Sequence, residues 1–455
     1  MLGIMLLLFL MNVNELQNKT IELLNPWWSD RSIDLGIQRD IYLEKISDTV
    51  DNKKQILFLL GSRRVGKTII MFQYIYQLIQ KGVMPKKILF MSLDNINLQD
   101  LNLFSYLSES NFEYVLLDEV HYFTNWAQIL KSLDDLPLFK SKIICSGSSS
   151  KLIEDNKAFL TGRNVTIQIN PLSFIESKQF NNSEDEINDY LYYGGYPEYV
   201  LEKQPNYLND LLRDVLEKDI LKLHNIRNSR YLFDICQILA KQVGSLSSSN
   251  KISKILNIDN KTVVNYINYL REVRLIDQVY QYSDSVNKKL YAPKKYYFND
   301  LGMRNSFVGF SDIGALVENA IFLKLSVVYG SDKIYYFSND REGEIDFVVS
   351  IDNSRILLLE SKYKNLEQSV INSLNSQFFK DIYNKEIVGR FVITDGINSQ
   401  YENKGVNIQM ISLKDFLEKN NKNGRDFLEM LSQYNVKGGK TLSGDIDKIA
   451  YKYVE

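Results

Sequence analysis

The sequence predicts an α/β protein: a parallel sheet flanked by helices, then a helical segment, a helix-turn-helix with a hairpin, and a second, smaller α/β domain. Three observations carry that reading. Residues 56–60, 88–91 and 114–117 are short, nearly unbroken apolar runs, as expected of strands buried on both faces of a parallel sheet. The first run leads into a glycine-rich loop and then a helix-length apolar pattern over 69–80, closed by Gly82. Beyond Phe310 the pattern returns to alternating strands and helices.

At 455 residues the chain exceeds the size at which a single core stops growing, about 250–300 residues, so two or more domains are expected. Apolar residues make up 45% and aromatics 12%, enough for sizeable cores. A formal charge of −2 excludes a globally basic nucleic-acid coat but leaves room for a local basic face. Cys145 and Cys236 lie far apart and fit no disulfide or metal framework, which favours the cytoplasm. The start, Met1 to Met11, is strongly apolar. It is about half the length of a membrane span and lacks the flanks of a secretory signal. A misassigned start with Met11 as the true first residue, or a buried arm, is expected over a weak membrane contact. No stable membrane insertion is expected, because no other segment is long and apolar enough.

The loop after the first strand reads Gly61, Ser62, Arg63, Arg64, Val65, Gly66, Lys67, Thr68. This is G-x-x-x-x-G-K-[ST] in its required strand–loop–helix context. The glycines let backbone N–H groups wrap phosphates, and the helix N-terminus adds partial positive charge. Lys67 is expected on the β- and γ-phosphates of ATP, and the Thr68 hydroxyl on Mg²⁺. A second Gly-Lys-Thr at Gly439 is rejected, since Tyr434 stands where the first glycine belongs and no apolar strand precedes it. Downstream, the apolar run from Tyr114 ends in Asp118 and Glu119. Asp118 is expected to hold Mg²⁺ directly or through water, and Glu119 to act as general base on the attacking water. A strand lies between the two motifs, and another, 142–148, follows them. The intervening strand and a Glu beside the Mg²⁺ acid indicate the RecA/AAA-like division of P-loop folds. Ser148 is the first choice for a γ-phosphate sensor at the end of the later strand, with Ser146 and Ser149 behind it.

Further segments make the pattern specific: Asn25-Pro26-Trp27-Trp28 and Arg39 ahead of the loop, Leu117-Asp118-Glu119-Val120-His121, Cys145 to Ser150, and Leu160-Thr161-Gly162-Arg163. Pro171-Leu172-Ser173-Phe174, Gly194-Gly195-Tyr196-Pro197-Glu198 and Tyr297-Phe298-Asn299-Asp300-Leu301-Gly302 follow. In this order they resemble the archaeal and bacterial AAA-type ATPases that carry a C-terminal domain of unknown function. The resemblance implies ATP binding and a role for Arg163, on the γ-phosphate of its own site or of a neighbour's. Ion pairing within the domain is the other open reading of Arg163. Arg63 and Arg64 are open between phosphate and protein contacts. His121 mimics a helicase box, but no other helicase motif accompanies it.

Residues 172–230 read as helices broken at Gly194-Gly195-Tyr196-Pro197, where AAA-like proteins place a helical lid. Residues 231–243, 251–256 and 261–273 then give helix, short helix and longer helix, with strands 276–282 and 290–298 as a wing. Lys288, Lys289, Lys294 and Lys295 fall in or beside the wing tip, and Lys251, Lys254, Lys261 and Arg271 on the helices. They could grip DNA phosphates; a solvated face on a protein-contact module is the other reading.

In the last part, Asp346 lies in an apolar strand, and a second strand ends Glu360-Ser361-Lys362. Across a hairpin these could converge on one or two divalent ions, with Glu318 from an upstream helix as a further ligand. The arrangement is similar to the restriction-endonuclease-like fold, although Ser361 stands where an apolar residue is commoner and Glu344 competes as a ligand. The division expected is an arm over 1–40, a P-loop core over 41–171, a lid over 172–230, a winged helix over 231–300, a nuclease-like domain over 301–430 and a tail over 431–455. Three functions fit. One is a Mg²⁺-dependent ATPase switching a DNA-directed region; the second is an ATP-binding scaffold with protein partners and an inactive nuclease-like domain; the third is a metal-dependent nuclease. Each could act as an oligomer.

Overall fold

The computed structural model describes residues 14–419 apart from 30, 53–54, 149–157, 182, 222–223, 225, 227–228, 340–342, 363–367, 376–378, 380–382, 397 and 404–405. Met1 to Met11, Ser149, Gly439 and the 431–455 tail therefore lie outside the described residues. Two compact units divide the chain, Met1–Asn170 and Pro171–Glu455.

The first unit is built on β1 (Ile56–Leu60), β2 (Ile88–Ser92), β3 (Tyr114–Asp118), β4 (Lys142–Gly147) and β5 (Asn164–Gln168). All are parallel, in the order β2-β3-β4-β1-β5. Every residue of β1 is buried, which is why its run shows no polar alternation. The strand that lies between β1 and β3 in space is β4, whereas β2, which lies between their motifs in sequence, is the outer strand. Phe58, Leu117 and Cys145 pack with Trp126, Leu130 and Leu133 of the helix Trp126–Asp134 in one apolar cluster. Cys145 is thus a core residue.

An exposed β2 edge would invite pairing with other chains. Asn25 covers it: its amide donates to Phe90 O at 2.8 Å and accepts from Phe90 N at 2.7 Å, as a neighbouring strand would. The indoles of Trp27 and Trp28 both donate to Ile88 O. The Asn-Pro-Trp-Trp segment is therefore an edge cap.

In the second unit, β6 (Ile276–Gln281), β7 (Lys295–Phe298), β8 (Ile334–Asn339), β9 (Gly343–Ser350), β10 (Arg355–Ser361), β11 (Glu386–Thr394), β12 (Ser399–Asn403) and β13 (Val406–Ser412) form one mixed sheet. Its order is β12-β13-β11-β10-β9-β8-β6-β7. The helices Ser229–Lys241, Ser249–Leu256 and Asn260–Glu272 precede the antiparallel hairpin β6–β7. The expected second hairpin strand from residue 290 begins only at Lys295, because Ser285 caps a short helix, Val286–Tyr291, ahead of it. The hairpin also does not stand alone: β6 runs on to pair in parallel with β8, Tyr280 opposite Tyr335. No break in the sheet falls at the expected 300/301 boundary.

The expected lid segment belongs to this second unit. Ser173 and Glu176 form a capping box on the helix Phe174–Phe180. Lys178 pairs with Glu418 at 2.7 Å, and Asn305 donates to Leu191 O at 2.9 Å. Buried Asp300 accepts from Gly195 N at 2.6 Å and from Met303 N at 2.7 Å. Burial pushes its carboxyl up to about 6. A Cβ on Gly194 would lie 2.5 Å from Asp300 Oδ2, and one on Gly302 2.1 Å from Tyr193 O, so the Gly-Gly-Tyr-Pro turn and the Asn-Asp-Leu-Gly turn are two halves of one joint. No helix among the described residues is long and apolar enough to cross a membrane.

Candidate functional site

The loop from Gly61 leaves the C-terminal end of β1 and enters the helix Lys67–Gln80. A Cβ on Gly61 would lie 2.3 Å from Ile169 O, so only glycine lets the loop pass beside the continuation of β5. Gly66 caps the helix at φ 91°, and Arg64 adopts φ 59°. Buried Arg39 braces the loop from below, donating to Val65 O at 2.9 Å and Asn170 O at 3.1 Å. Its guanidinium also lies 4.6 Å from the centre of the Tyr42 ring. Sequence reading assigned Arg39 no role, since an isolated arginine carries no local signal.

Four expected residues meet beside this loop. Lys67 Nζ donates to Gly61 O and Ser62 O at 3.1 and 3.0 Å and lies 3.7 Å from the Glu119 carboxylate. Thr68 Oγ1 donates to Asp118 Oδ2 at 2.7 Å. The Ser146 hydroxyl bonds to Asp118 Oδ1 and accepts from Glu119 N at 3.0 Å. Ser148 holds Glu119 Oε2 through both its backbone N–H and its hydroxyl, each at 3.2 Å. The two candidate serines are thus divided: Ser146 serves Asp118 and Ser148 serves Glu119.

Burial and the neighbouring Glu119 charge push the Asp118 carboxyl up, against hydrogen bonds from Ser146 and Thr68 and the Lys67 charge. Burial also pushes Glu119 up, but Lys67, His121 and Arg63 outweigh it and hold that carboxyl below its ordinary value. His121, given no role from sequence, lies 3.3 Å from Glu119 Oε2 and against the Tyr122 ring. Arg63 donates to Tyr122 Oη at 2.9 Å, while Arg64 is exposed. This donor set fits Mg²⁺-ATP: a buried ammonium, loop amides at a helix N-terminus, and a hydroxyl–carboxylate pair.

Arg163, open from the sequence between phosphate contact and ion pairing, forms ion pairs. Ile56 stands opposite Asn164 in the parallel β1–β5 pair, so Arg163 sits at the start of the strands and the loop at their end. Five residues of strand separate the two by about 16 Å. Its guanidinium pairs with Asp134 and Asp135. Arg163 does not reach the phosphate side of its own site.

In the second unit, Glu318, Asp346, Glu360 and Lys362 do converge, lining a cavity of about 520 Å³ with Glu344 and Lys295. Lys295, expected at a wing tip, is buried at the centre of the acids. Its Nζ lies 3.2 Å from Glu318, 2.9 Å from Glu344 and 2.8 Å from Asp346. Tyr297 donates to Glu318 Oε1 at 2.7 Å, and Ser361 N to Asp346 Oδ2 at 3.0 Å. Lys362 stays at the margin, 4.0 Å from Glu360. Burial and Asp346 drive the Glu360 carboxyl well up, while the Lys295 charge and hydrogen bonds hold Asp346 low against its own burial. Among the described residues no group of three or more His, Cys, Asp or Glu is disposed to hold a metal ion. The expected divalent-metal site finds no support in this arrangement, where Glu318, Glu344 and Asp346 meet around the Lys295 ammonium.

Residues 53–178 match the family described as AAA domain, 184–313 a domain of unknown function (DUF8612), and 313–416 another (DUF4143). An uncharacterized protein of Haemophilus influenzae is 28% identical over 316 residues, covering 64% of this chain and 78% of that protein. An uncharacterized protein of Methanocaldococcus jannaschii is 28% identical over 350 residues, covering 70% and 76%. The Thermotoga maritima RuvB Holliday junction branch migration motor is 15% identical, with 53% of this chain and 89% of that chain covered at a TM-score of 0.29. AMPPCP-bound DnaA from Aquifex aeolicus is 17% identical, with 53% and 90% covered at a TM-score of 0.28. Residues 53–178 are thus similar to an AAA domain and lie ahead of two segments similar to domains of unknown function.

Proposed function

We propose that this AAA-type chain binds ATP with Mg²⁺ in the cytoplasm, hydrolyses it at Lys67, Thr68, Asp118 and Glu119, and uses the cycle to switch a DNA-directed second unit. The observation that carries the reading is the meeting of those four side chains beside the glycine loop. Lys67 is placed to take up phosphate charge, and the Thr68–Asp118 pair to hold Mg²⁺. Bound Mg²⁺ supplies neutralisation of the phosphate oxygens. Glu119, kept ionised by Lys67, His121 and Arg63, accepts a proton from the attacking water, and Ser148 aims its carboxylate. Phosphate release from ATP, followed with Mg²⁺ and then with EDTA, tests the proposal. No release with Mg²⁺, with or without DNA present, removes the hydrolytic reading.

DNA binding is supported by exposed Lys251, Lys254, Lys261 and Lys288 on the helices of the second unit. A second reading, protein partners, is favoured by the composition of the expected tip. There Lys295 is withdrawn, Lys294 donates to Leu290 O and Ala292 O, and Val286, Leu290 and Tyr291 are exposed. Gel-shift titration at low salt separates the two, because phosphate contacts are strongest there. Measurable affinity that falls steeply with salt supports DNA; no affinity supports protein partners.

A further inference from the structure

The acid pocket of the second unit has the residues of a metal site, yet its own chain supplies the cation. Glu318 comes from the helix Ile313–Tyr329, Glu344 and Asp346 from β9, and Lys295 from β7. Three carboxylates therefore converge from two elements on one ammonium, all at 2.8–3.2 Å. A Mg²⁺ or Mn²⁺ ion bound by those oxygens would sit at about 2.0–2.6 Å from them and so within contact of Nζ. Like charges that close repel strongly in a buried site, so the metal and Lys295 exclude one another. Lys295 is 1% exposed, and its backbone is fixed opposite Val279 in the hairpin. Withdrawing it would leave a buried ammonium and three carboxylates without their counter-charge, a costly separation. Lys362, which the Glu-x-Lys pattern puts forward, stands outside this triad.

We infer that Lys295 permanently takes the place of the divalent ion, so that the pocket binds no metal and joins the hairpin to the helix and sheet behind it. The region has the acids of a metal-dependent nuclease and does not cut by that mechanism. This inference is independent of the ATPase reading, since its test involves no nucleotide.

Mn²⁺ is the probe. The full, nucleotide-free chain is titrated with Mn²⁺ and the free ion followed by electron paramagnetic resonance, for wild type, Glu360→Gln, Lys295→Gln, and Lys295→Gln combined with Asp346→Asn. The expected result is equal Mn²⁺ stoichiometry for wild type and Glu360→Gln. Lys295→Gln gains one bound ion, which the double variant loses. A Mn²⁺ equivalent present in wild type and lost in Glu360→Gln overturns the inference. So does a folded Lys295→Gln that gains no ion. Should Lys295→Gln fail to fold, the first comparison stands alone, together with DNA cleavage in Mn²⁺. Wild-type cleavage that disappears in Glu360→Gln also overturns it.

Discussion

Asp300 shows what one buried carboxyl contributes. Its ordinary value is 3.8, and burial raises it to about 6 in the folded chain against hydrogen bonds from Gly195, Met303 and Gly302. The folded state therefore binds the proton more tightly than the unfolded state, and stability from this group rises as pH falls from about 6 to about 4. Above pH 6 the full cost of the buried charge is present, on the order of 3 kcal/mol. Replacing Asp300 with Asn should flatten the dependence of the second unit's melting temperature on pH between 4 and 6. Parallel wild-type and variant profiles across that window would remove Asp300 as the titrating group. Residue identity was legible where a motif fixes it: Gly61, Lys67, Thr68, Asp118 and Glu119 all occupy the loop side of the sheet. Arg163 and Lys295 were not. Sequence order does not say which end of a sheet a residue reaches, and lysine is so seldom buried that a buried one leaves no signal.

Elements tell a related story. Both sheets end in a strand whose open edge is covered by an asparagine amide. Asn25 bonds both polar backbone groups of Phe90 on β2, and Asn319 those of Phe298 on β7 at 2.9 and 2.7 Å. Asn25→Ala leaves a buried N–H and C=O without these partners, which should cost about 2 kcal/mol. Urea unfolding of the first unit measures this, and an unchanged midpoint would show that the two tryptophans hold the edge unaided. Apolar runs sufficed to find β1, β2 and β3, because strands buried on both faces carry no competing pattern. The helix Val286–Tyr291 escaped for the opposite reason: its cap, Ser285, is a single residue in a polar turn, and its leucine and tyrosine suit a strand equally well.

For the whole molecule, the chain falls into two compact units, Met1–Asn170 and Pro171–Glu455, a coarser division than the segments read from the sequence. Local patterns mark helices and hairpins, but β6 pairing with β8 across more than fifty residues has no local signature. If the cycle at the first unit switches the second, nucleotide and DNA must change one another's affinity by the same factor. DNA affinity measured with a non-hydrolysable ATP analogue and with ADP should therefore differ, by about 5–150-fold for typical couplings. The ratio must reappear in analogue and ADP affinities measured with and without DNA. Identical DNA affinities in the two nucleotide states would leave the ATPase intact and end the switch.

The most direct measurement is phosphate release by wild type and Glu119→Gln under single-turnover conditions, with ATP binding measured alongside. Glu119→Gln is nearly isosteric and keeps an oxygen for Ser148, so ATP should still bind. Loss of the proton acceptor should slow hydrolysis by about 10²–10⁴-fold. Equal rates in the two proteins would contradict the assignment of Glu119 as the base at the Gly61–Thr68 loop.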